Sequence, residues 1–245
     1  MAEVTLRGLA HDRRWLIVEP SGQFLTQRTQ PTLALVRPQV LVDGGLRLSA
    51  PGQPDLVVAQ PTDTALPRRV QVWSDTVDAV EADAEAHAWF SAYLHLDVQL
   101  VYMPAERIRP ADPAYGNPGD HVSFADGYPI LITTEASLAD LNRRLETPVP
   151  MNRFRPNIVV NGTEPFAEDQ WKHIQIGELP MRSVKSCARC VVTTTDQQTA
   201  ARGKEPLRTL ATFRKWDGGV YFGQNLIPDT TGIIRVGDAI STQIT

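Results

Sequence analysis

Closely spaced turn signals divide the first hundred residues into short apolar runs. These runs lie at residues 14–18, 24–26, 33–36, 56–58 and 70–73. A hairpin is predicted at residues 40–48, where Gly44 and Gly45 supply the positive φ angles that a tight turn needs. Short strands separated by turns predict a small β-barrel or a β-sandwich.

The rest of the chain adds strands and a few helices. Apolar residues recur at helical spacing over residues 82–94 and again after Thr134, whose hydroxyl is suited to cap the helix start. A third helix is predicted from Glu205-Pro206, because proline fits a first helical turn. Further strands are predicted at residues 98–102, 129–133, 157–160, 174–176, 190–195 and 232–236. The expected fold class is mainly β (α+β).

Residues 104–120 are rich in the two residues that interrupt regular structure. Four prolines and two glycines fall in this stretch, a density that neither helix nor sheet tolerates. The sequence therefore predicts a connection at residues 106–119. It would join an N-terminal β domain at residues 1–105 to a second domain at residues 120–245.

Charge and hydropathy exclude several classes of function. The chain has 24 Lys and Arg against 28 Asp and Glu, a net charge of −4, whereas a nucleic-acid binder usually carries a basic excess. No apolar run approaches the length of a membrane span, and the first residues lack the apolar core of a signal peptide. We expect a cytoplasmic protein that binds neither nucleic acid nor membrane.

The two cysteines, Cys187 and Cys190, form a single C-x-x-C motif with several interpretations. A structural zinc site needs four ligands, and the five histidines are scattered. A thioredoxin-type pair would normally begin a helix, whereas Cys190 leads into a predicted strand. Two inert buried thiols are a further possibility. The last is a thiolate ligand for a soft metal, which the neighbouring charges of Lys185 and Arg189 would favour.

Several segments in order resemble the MOSC domain family, in the branch that contains the amidoxime-reducing proteins. The C-x-x-C segment at residues 186–194 resembles the family's cysteine motif. The other matching segments are residues 11–15, 25–28, 124–129, 135–138, 153–158, 204–207 and 221–225.

This resemblance implies a MOSC β-barrel preceded by a smaller N-terminal β domain. It implies a molybdenum cofactor, Mo-molybdopterin, whose metal takes a protein thiolate from Cys190. The implied reaction is the reduction of small N-hydroxylated compounds such as amidoximes and hydroxylamines. The resemblance also implies a strand carrying a lysine–serine pair upstream of His11, which would help to hold the cofactor phosphate, and this sequence has no such segment.

The resemblance assigns cofactor binding to five further residues: Arg13, Thr134, Arg155, Asn157 and Asn225. Arginines suit a phosphate, and an asparagine amide both donates and accepts. By residue type alone each has a structural alternative. The arginines could form surface ion pairs, Thr134 could be an ordinary helix cap, and Asn157 could be a turn residue.

Electrons for such a reductase would come from a separate protein of ferredoxin or flavodoxin type. Two cysteines cannot hold an iron–sulfur cluster that needs four, and the chain has no G-x-G-x-x-G segment for a dinucleotide. The alternative function is a non-catalytic carrier of the cofactor or of persulfide sulfur on the same scaffold. A pyridoxal-phosphate sulfurase is excluded, because that reaction needs a dedicated domain for which the two MOSC parts leave no room.

Overall fold

The computed structural model describes residues 1–62 and 64–244. Its strands, numbered β1 to β17 along the chain, are Ala2–Thr5, Gly8–Leu9, Trp15–Val18, Arg37–Val40, Leu46–Ser49, Leu56–Val58, Pro67–Val72, Asp75–Glu81, Gln99–Tyr102, Ile130–Thr134, Ile158–Val160, Trp171–Ile176, Leu179–Ala188, Lys215–Trp216, Gly219–Pro228, Gly232–Ile234 and Ile240–Ile244. The α-helices α1 to α3 are Ala84–Leu94, Glu135–Arg143 and Leu207–Leu210. Short 3₁₀ helices lie at Pro31–Leu35, Met151–Arg153, Ala167–Gln170 and Val191–Thr194. The predicted mainly β fold class is confirmed.

The chain forms two compact units that alternate along the sequence. The first unit contains residues 1–10, 110–195 and 202–244, and the second contains residues 11–109 and 196–201. The division at residues 106–119 stays a prediction about family domains. In the described part of the chain, no helix is both long and apolar enough to cross a membrane.

The first unit is built on a seven-stranded sheet. Its order is β11-β10-β15-β13-β12-β17, with β14 paired to β15. Strands β10 and β11 are parallel, and the other pairs are antiparallel. One core cluster buries Ile130 and Ile132 of β10 with Met181 of β13 and Leu226 of β15. These residues recur at every second position of their strands, so one side of the sheet faces this apolar core.

The second unit has a four-stranded sheet in the order β3-β9-β8-β7 and a three-stranded sheet in the order β4-β5-β6. The predicted hairpin at residues 40–48 is present, because β4 pairs with β5 in antiparallel register, but of its two glycines only Gly44 has a positive φ angle. Helix α1 begins after Asp83, whose carboxylate accepts a hydrogen bond from the backbone of Ala86. Trp89 and Phe90 of this helix pack in the same core cluster as Leu48.

Residues 190–195 do not form the predicted strand. Strand β13 ends at Ala188, and the chain turns at Cys190 into the 3₁₀ helix Val191–Thr194. The hydroxyl of Thr193 donates to the Cys190 carbonyl at 2.9 Å, and that of Thr194 donates to the Val191 carbonyl at 2.8 Å. Such local bonds compete with a sheet ladder, which is why a threonine-rich segment of high β propensity becomes a turn.

Other predicted elements also need correction. Residues 33–36 lie in or next to the 3₁₀ helix Pro31–Leu35, because Pro31 fixes the first φ angle of a turn. Phe24 makes an isolated bridge to Val18 in place of a strand. The predicted third helix is only four residues long, Leu207–Leu210.

Seven strands were not predicted, namely β1, β2, β8, β13, β14, β15 and β17. Strand β13 carries four half-buried polar side chains, Arg182, Ser183, Lys185 and Ser186, which hide the alternation of apolar and polar residues.

Candidate functional site

Cys190 lies at the point where the central strand β13 gives way to a turn. Its carbonyl oxygen accepts two hydrogen bonds from Thr193, from the backbone N–H at 3.1 Å and from the hydroxyl at 2.9 Å. The thiol is partly exposed and is not in a disulfide. Within residues 1–62 and 64–244, no hydrogen bond engages its sulfur. The backbone at Cys190 is therefore fixed while its sulfur is uncommitted.

Cys187 differs from Cys190 in this respect. Nη1 of Arg189 donates to Cys187 Sγ at 2.9 Å. The same guanidinium donates through Nη2 to the carbonyl oxygen of Phe154 at 2.6 Å. Its third nitrogen, Nε, is buried and has no hydrogen-bond partner among the described residues. Of the two thiols, only that of Cys187 is held by a side chain.

Arg155 lies on the turn that Arg189 contacts. The preceding residue, Phe154, is fully buried and stacks on Phe222 with ring centroids 4.0 Å apart. Arg155 itself is exposed and has a φ angle of +53°, a conformation that costs a non-glycine residue about 1–2 kcal/mol. Its backbone N–H donates to the Asn152 carbonyl at 3.2 Å. The 3₁₀ helix Met151–Arg153 of this turn packs against the 3₁₀ helix Val191–Thr194 that follows Cys190.

Asn157 and Asn225 belong to one row across the sheet. Asn157 pairs twice with Leu131, since its backbone N–H donates to the Leu131 carbonyl and its Oδ1 accepts from the Leu131 N–H, both at 2.9 Å. Leu131 lies opposite Asn225 on β15, and Asn225 lies opposite Lys185 on β13. Nδ2 of Asn225 donates to the Lys185 carbonyl at 3.1 Å. Residues directly paired across neighbouring strands share one side of the sheet.

Thr134 is the N-cap of α2 and is fully buried. Its Oγ1 accepts from the Ser137 backbone N–H at 3.1 Å and lies 2.7 Å from Ser137 Oγ. It also donates to Glu168 Oε2 at 3.3 Å. The Thr134 hydroxyl is therefore engaged within the fold. Its contacts are those of a helix cap, which is the structural alternative given for this residue.

Arg13 lies in the second unit, apart in the chain from the residues above. It has a φ angle of +51° and forms an ion pair with Asp12 at 2.5 Å. The next residue, Arg14, turns its guanidinium onto the carbonyl oxygen of Met103, at 2.9 Å from Nε. Burial lowers the pKa of Arg14.

A buried carboxyl group beside this site has no signal in the sequence. Glu168 is fully buried, and Ser137 Oγ lies 2.8 and 2.9 Å from its two carboxyl oxygens. Burial raises the pKa of Glu168, and hydrogen bonds from Ser137 and Thr134 offset part of this effect. The next residue, Asp169, pairs with Arg214 at 2.6 Å and accepts from Gln224 at 2.7 Å. Both acids lie in a polar stretch that predicts exposure, so burial was not foreseeable.

The described residues contain no group of three or more His, Cys, Asp and Glu side chains placed to hold a metal ion. The contacts of the Arg189 guanidinium with Cys187 and Phe154 were also not predicted, although its charge beside the cysteines is evident in the sequence. A contact between residues 35 positions apart has no local sequence signal.

Two family models match the chain. The MOSC domain matches residues 119–241, and the MOSC N-terminal beta barrel domain matches residues 1–97. A solved structure from Bordetella bronchiseptica aligns with 39% of this chain and 75% of its own, at 28% identity and a TM-score of 0.35, and is too partial a likeness to support any conclusion.

Curated relatives match nearly the whole chain. Mitochondrial amidoxime-reducing component 1 of Homo sapiens is 34% identical over 259 residues, which cover 98% of this chain and 76% of the relative. Mitochondrial amidoxime reducing component 2 of Bos taurus is 35% identical over 260 residues, with coverage of 98% and 76%. The component 1 of Danio rerio is 34% identical, with coverage of 95% and 74%. The chain therefore belongs to the MOSC domain family, whose members of this branch are molybdenum-cofactor proteins.

Proposed function

We propose that this protein is a molybdenum-dependent reductase of small N-hydroxylated compounds, amidoximes and hydroxylamines among them. The observation that carries the proposal is the uncommitted thiol of Cys190, fixed on a turn at the end of β13, in a chain 34% identical to amidoxime-reducing components.

The side chains around Cys190 fit a sulfur-coordinated, anionic cofactor. A thiolate is a soft ligand of the kind that a metal already bound by dithiolene sulfurs accepts. The guanidinium of Arg189 adds a positive charge beside these turns, and its buried Nε has no hydrogen-bond partner among the described residues. Arg155 is an exposed cation on the adjoining turn. The cofactor, when bound, supplies a centre that can pass two electrons to the substrate.

The protein's own residues hold and orient that centre. Cys190 supplies the metal ligand, and Arg155 supplies a planar fork for the cofactor phosphate. Asn157 and Asn225 lie in one row on either side of Leu131, and each has one amide atom already bonded within the sheet. Thr134 and Arg13 complete the proposed set: Thr134 by its place at the start of α2, although its hydroxyl is engaged, and Arg13 by its sequence motif alone.

The proposed reaction fixes what else the protein needs. Reducing R–NHOH to R–NH₂ breaks the N–O bond, consumes two electrons and two protons, and releases water. We propose that a separate ferredoxin- or flavodoxin-type protein delivers these electrons. We also propose a reducing compartment such as the cytoplasm, where two free cysteines would persist.

The test is turnover of an amidoxime by the purified, cofactor-loaded chain. With a one-electron chemical reductant we expect the amidine to accumulate, and with NADH alone we expect none. Cys190→Ala should abolish the product, whereas Arg143→Ala, on the exposed face of α2, should not change it. A chain that holds molybdenum but produces no amidine with any reductant would favour a cofactor carrier and contradict the reductase.

A further inference from the structure

Arg189 connects the two turns that carry Cys190 and Arg155, two of the proposed cofactor ligands. Its backbone lies between Ala188 and Cys190 and donates to the Val220 carbonyl at 2.7 Å. Its side chain reaches 35 residues back along the chain to the carbonyl oxygen of Phe154. We propose that Arg189 is a positioning residue whose guanidinium, anchored on the Cys187 thiol, fixes Arg155 relative to Cys190. This inference rests on the proposed roles of those two residues.

The Phe154 carbonyl controls the conformation of Arg155. The carbonyl oxygen of Phe154 and the N–H of Arg155 belong to one planar peptide unit. Arg189 holds the oxygen end of this unit at 2.6 Å, and the Asn152 carbonyl holds the N–H end at 3.2 Å. A peptide plane fixed at both ends restrains the following φ angle, which at Arg155 is +53°. Without this restraint, an arginine would adopt a backbone conformation of lower energy.

The Cys187 thiol orients the guanidinium that makes this contact. Cys187 Sγ lies 2.9 Å from Nη1, the separation of an ordinary N–H···O bond although sulfur is the larger atom. A guanidinium presents its donors in one rigid plane, so holding Nη1 also sets the direction of Nη2. The centre of the Phe154 ring lies 5.5 Å from Arg189 Cζ, a further contact that keeps the guanidinium on this turn.

The first cysteine of the C-x-x-C motif thereby acquires a role distinct from that of the second. Cys187 acts on Arg189, and Arg189 acts on Arg155, while Cys190 remains available for the metal. Neither Cys187 nor the Arg189 fork needs to touch the reacting atoms.

The experiment compares hydrogen–deuterium exchange in the full-length chain, in cofactor-free and cofactor-loaded preparations. Arg189→Lys keeps the charge but cannot make both planar contacts. We expect the amide of Arg155 to exchange at least about tenfold faster in this variant, the factor expected when one such hydrogen bond is lost. Cys187→Ala should give a smaller increase at the same amide, and Cys187→Ser, which restores an acceptor, should return it toward wild type. Arg143→Lys, in an exposed ion pair with Asp140, is the control and should change nothing near residue 155.

A second readout concerns the cofactor. In loaded protein, Arg189→Lys and Cys187→Ala should release molybdenum faster than wild type and should alter the electron paramagnetic resonance signal of Mo(V), with rescue by Cys187→Ser. Unchanged exchange at Arg155 in both variants would overturn the proposal. An equal increase of exchange in β12 and β17 would also overturn the proposal, because Arg189 would then stabilise the whole unit and not the Arg155 turn in particular. A wild-type chain without molybdenum would refute the proposed function, while the exchange data would still decide the role of Arg189.

Discussion

Thr193 donates two hydrogen bonds to the single carbonyl oxygen of Cys190, one from its backbone and one from its side chain. Thr193 is 1% exposed, so its hydroxyl has no competing contact with water. The pair turns the chain away from β13 immediately after the proposed metal ligand. The direction of the Cys190 thiol therefore depends on a buried side chain three residues further along the chain.

This arrangement predicts the effect of removing only the hydroxyl. Thr193→Val keeps the shape of the side chain but leaves the turn with one hydrogen bond fewer, which should cost about 1 kcal/mol of unfolding free energy. Thr193→Ser keeps the donor and should hold more molybdenum than Thr193→Val. Urea denaturation and metal analysis measure the two effects. Equal molybdenum content in both variants would show that the Thr193 hydroxyl does not determine the direction of the Cys190 thiol.

Arg155 should contribute to cofactor retention through its fork as well as its charge. A hydrogen bond to a charged group contributes about 1.5–3 kcal/mol, so Arg155→Ala should speed cofactor release by about 10- to 100-fold. Arg155→Lys keeps the charge, loses the fork and should fall between the two. Dilution followed by molybdenum analysis gives the release rates, with Arg143→Ala as the control. Identical rates for Ala, Lys and wild type would contradict the assignment.

Glu168 should make stability fall as the pH rises. Burial raises its pKa in the folded chain above the ordinary value of 4.5, so the folded state binds the proton more tightly than the unfolded state. The stabilisation is complete below 4.5 and is lost as the pH rises through the folded pKa. The Glu168→Gln variant cannot titrate at this position. Its unfolding free energy should therefore increase relative to that of wild type as the pH rises.

Urea denaturation of both proteins between about pH 4 and pH 8 measures this difference. Glu146→Gln, which removes an exposed charge from the same unit, controls for the lost charge. A difference between Glu168→Gln and wild type that is constant with pH, or that moves in favour of wild type, would contradict the prediction.

Gly223 should be intolerant of a side chain for two reasons. Its φ angle is +80°, and an added Cβ would lie 2.7 Å from both the Ile132 carbonyl oxygen and Thr133 Cγ2. Gly119 also has a positive φ of +96°, but its added Cβ would have nothing within 4 Å. Gly119→Ala should therefore cost about 1–2 kcal/mol from backbone strain alone, and Gly223→Ala should cost more. Equal shifts in the urea midpoint would show that the contact with β10 relaxes freely.

The sequence was informative where local chemistry decides structure. The capping of α2 by Thr134 and the turn between β4 and β5 follow from residues next to one another, and both were predicted. The segment after Cys190 was mispredicted, because β propensity ignores hydroxyls that bond three residues back. Strand β13 was not predicted, because polar side chains interrupt its apolar alternation. Only the order of the strands in the sheet shows that these side chains lie beside those of neighbouring strands.

The candidate site, like the fold, was predicted only where neighbouring residues determine it. Cys190 was identified from a motif, and its place on a turn beside the Arg155 turn agrees with the proposed role. The Arg189 fork and the burial of Glu168 depend on contacts between residues 31 to 35 positions apart. Neither contact has a local pattern in the chain.

The central claim is that Cys190, and not Cys187, binds the metal. The most direct test is the number of molybdenum atoms per chain in purified wild type, Cys190→Ala and Cys187→Ser, with folding checked by circular dichroism. We expect wild type and Cys187→Ser to contain molybdenum at comparable stoichiometry, and Cys190→Ala to be folded and to contain much less. A folded Cys190→Ala with the molybdenum content of wild type, or a Cys187→Ser variant that alone loses the metal, would contradict the account.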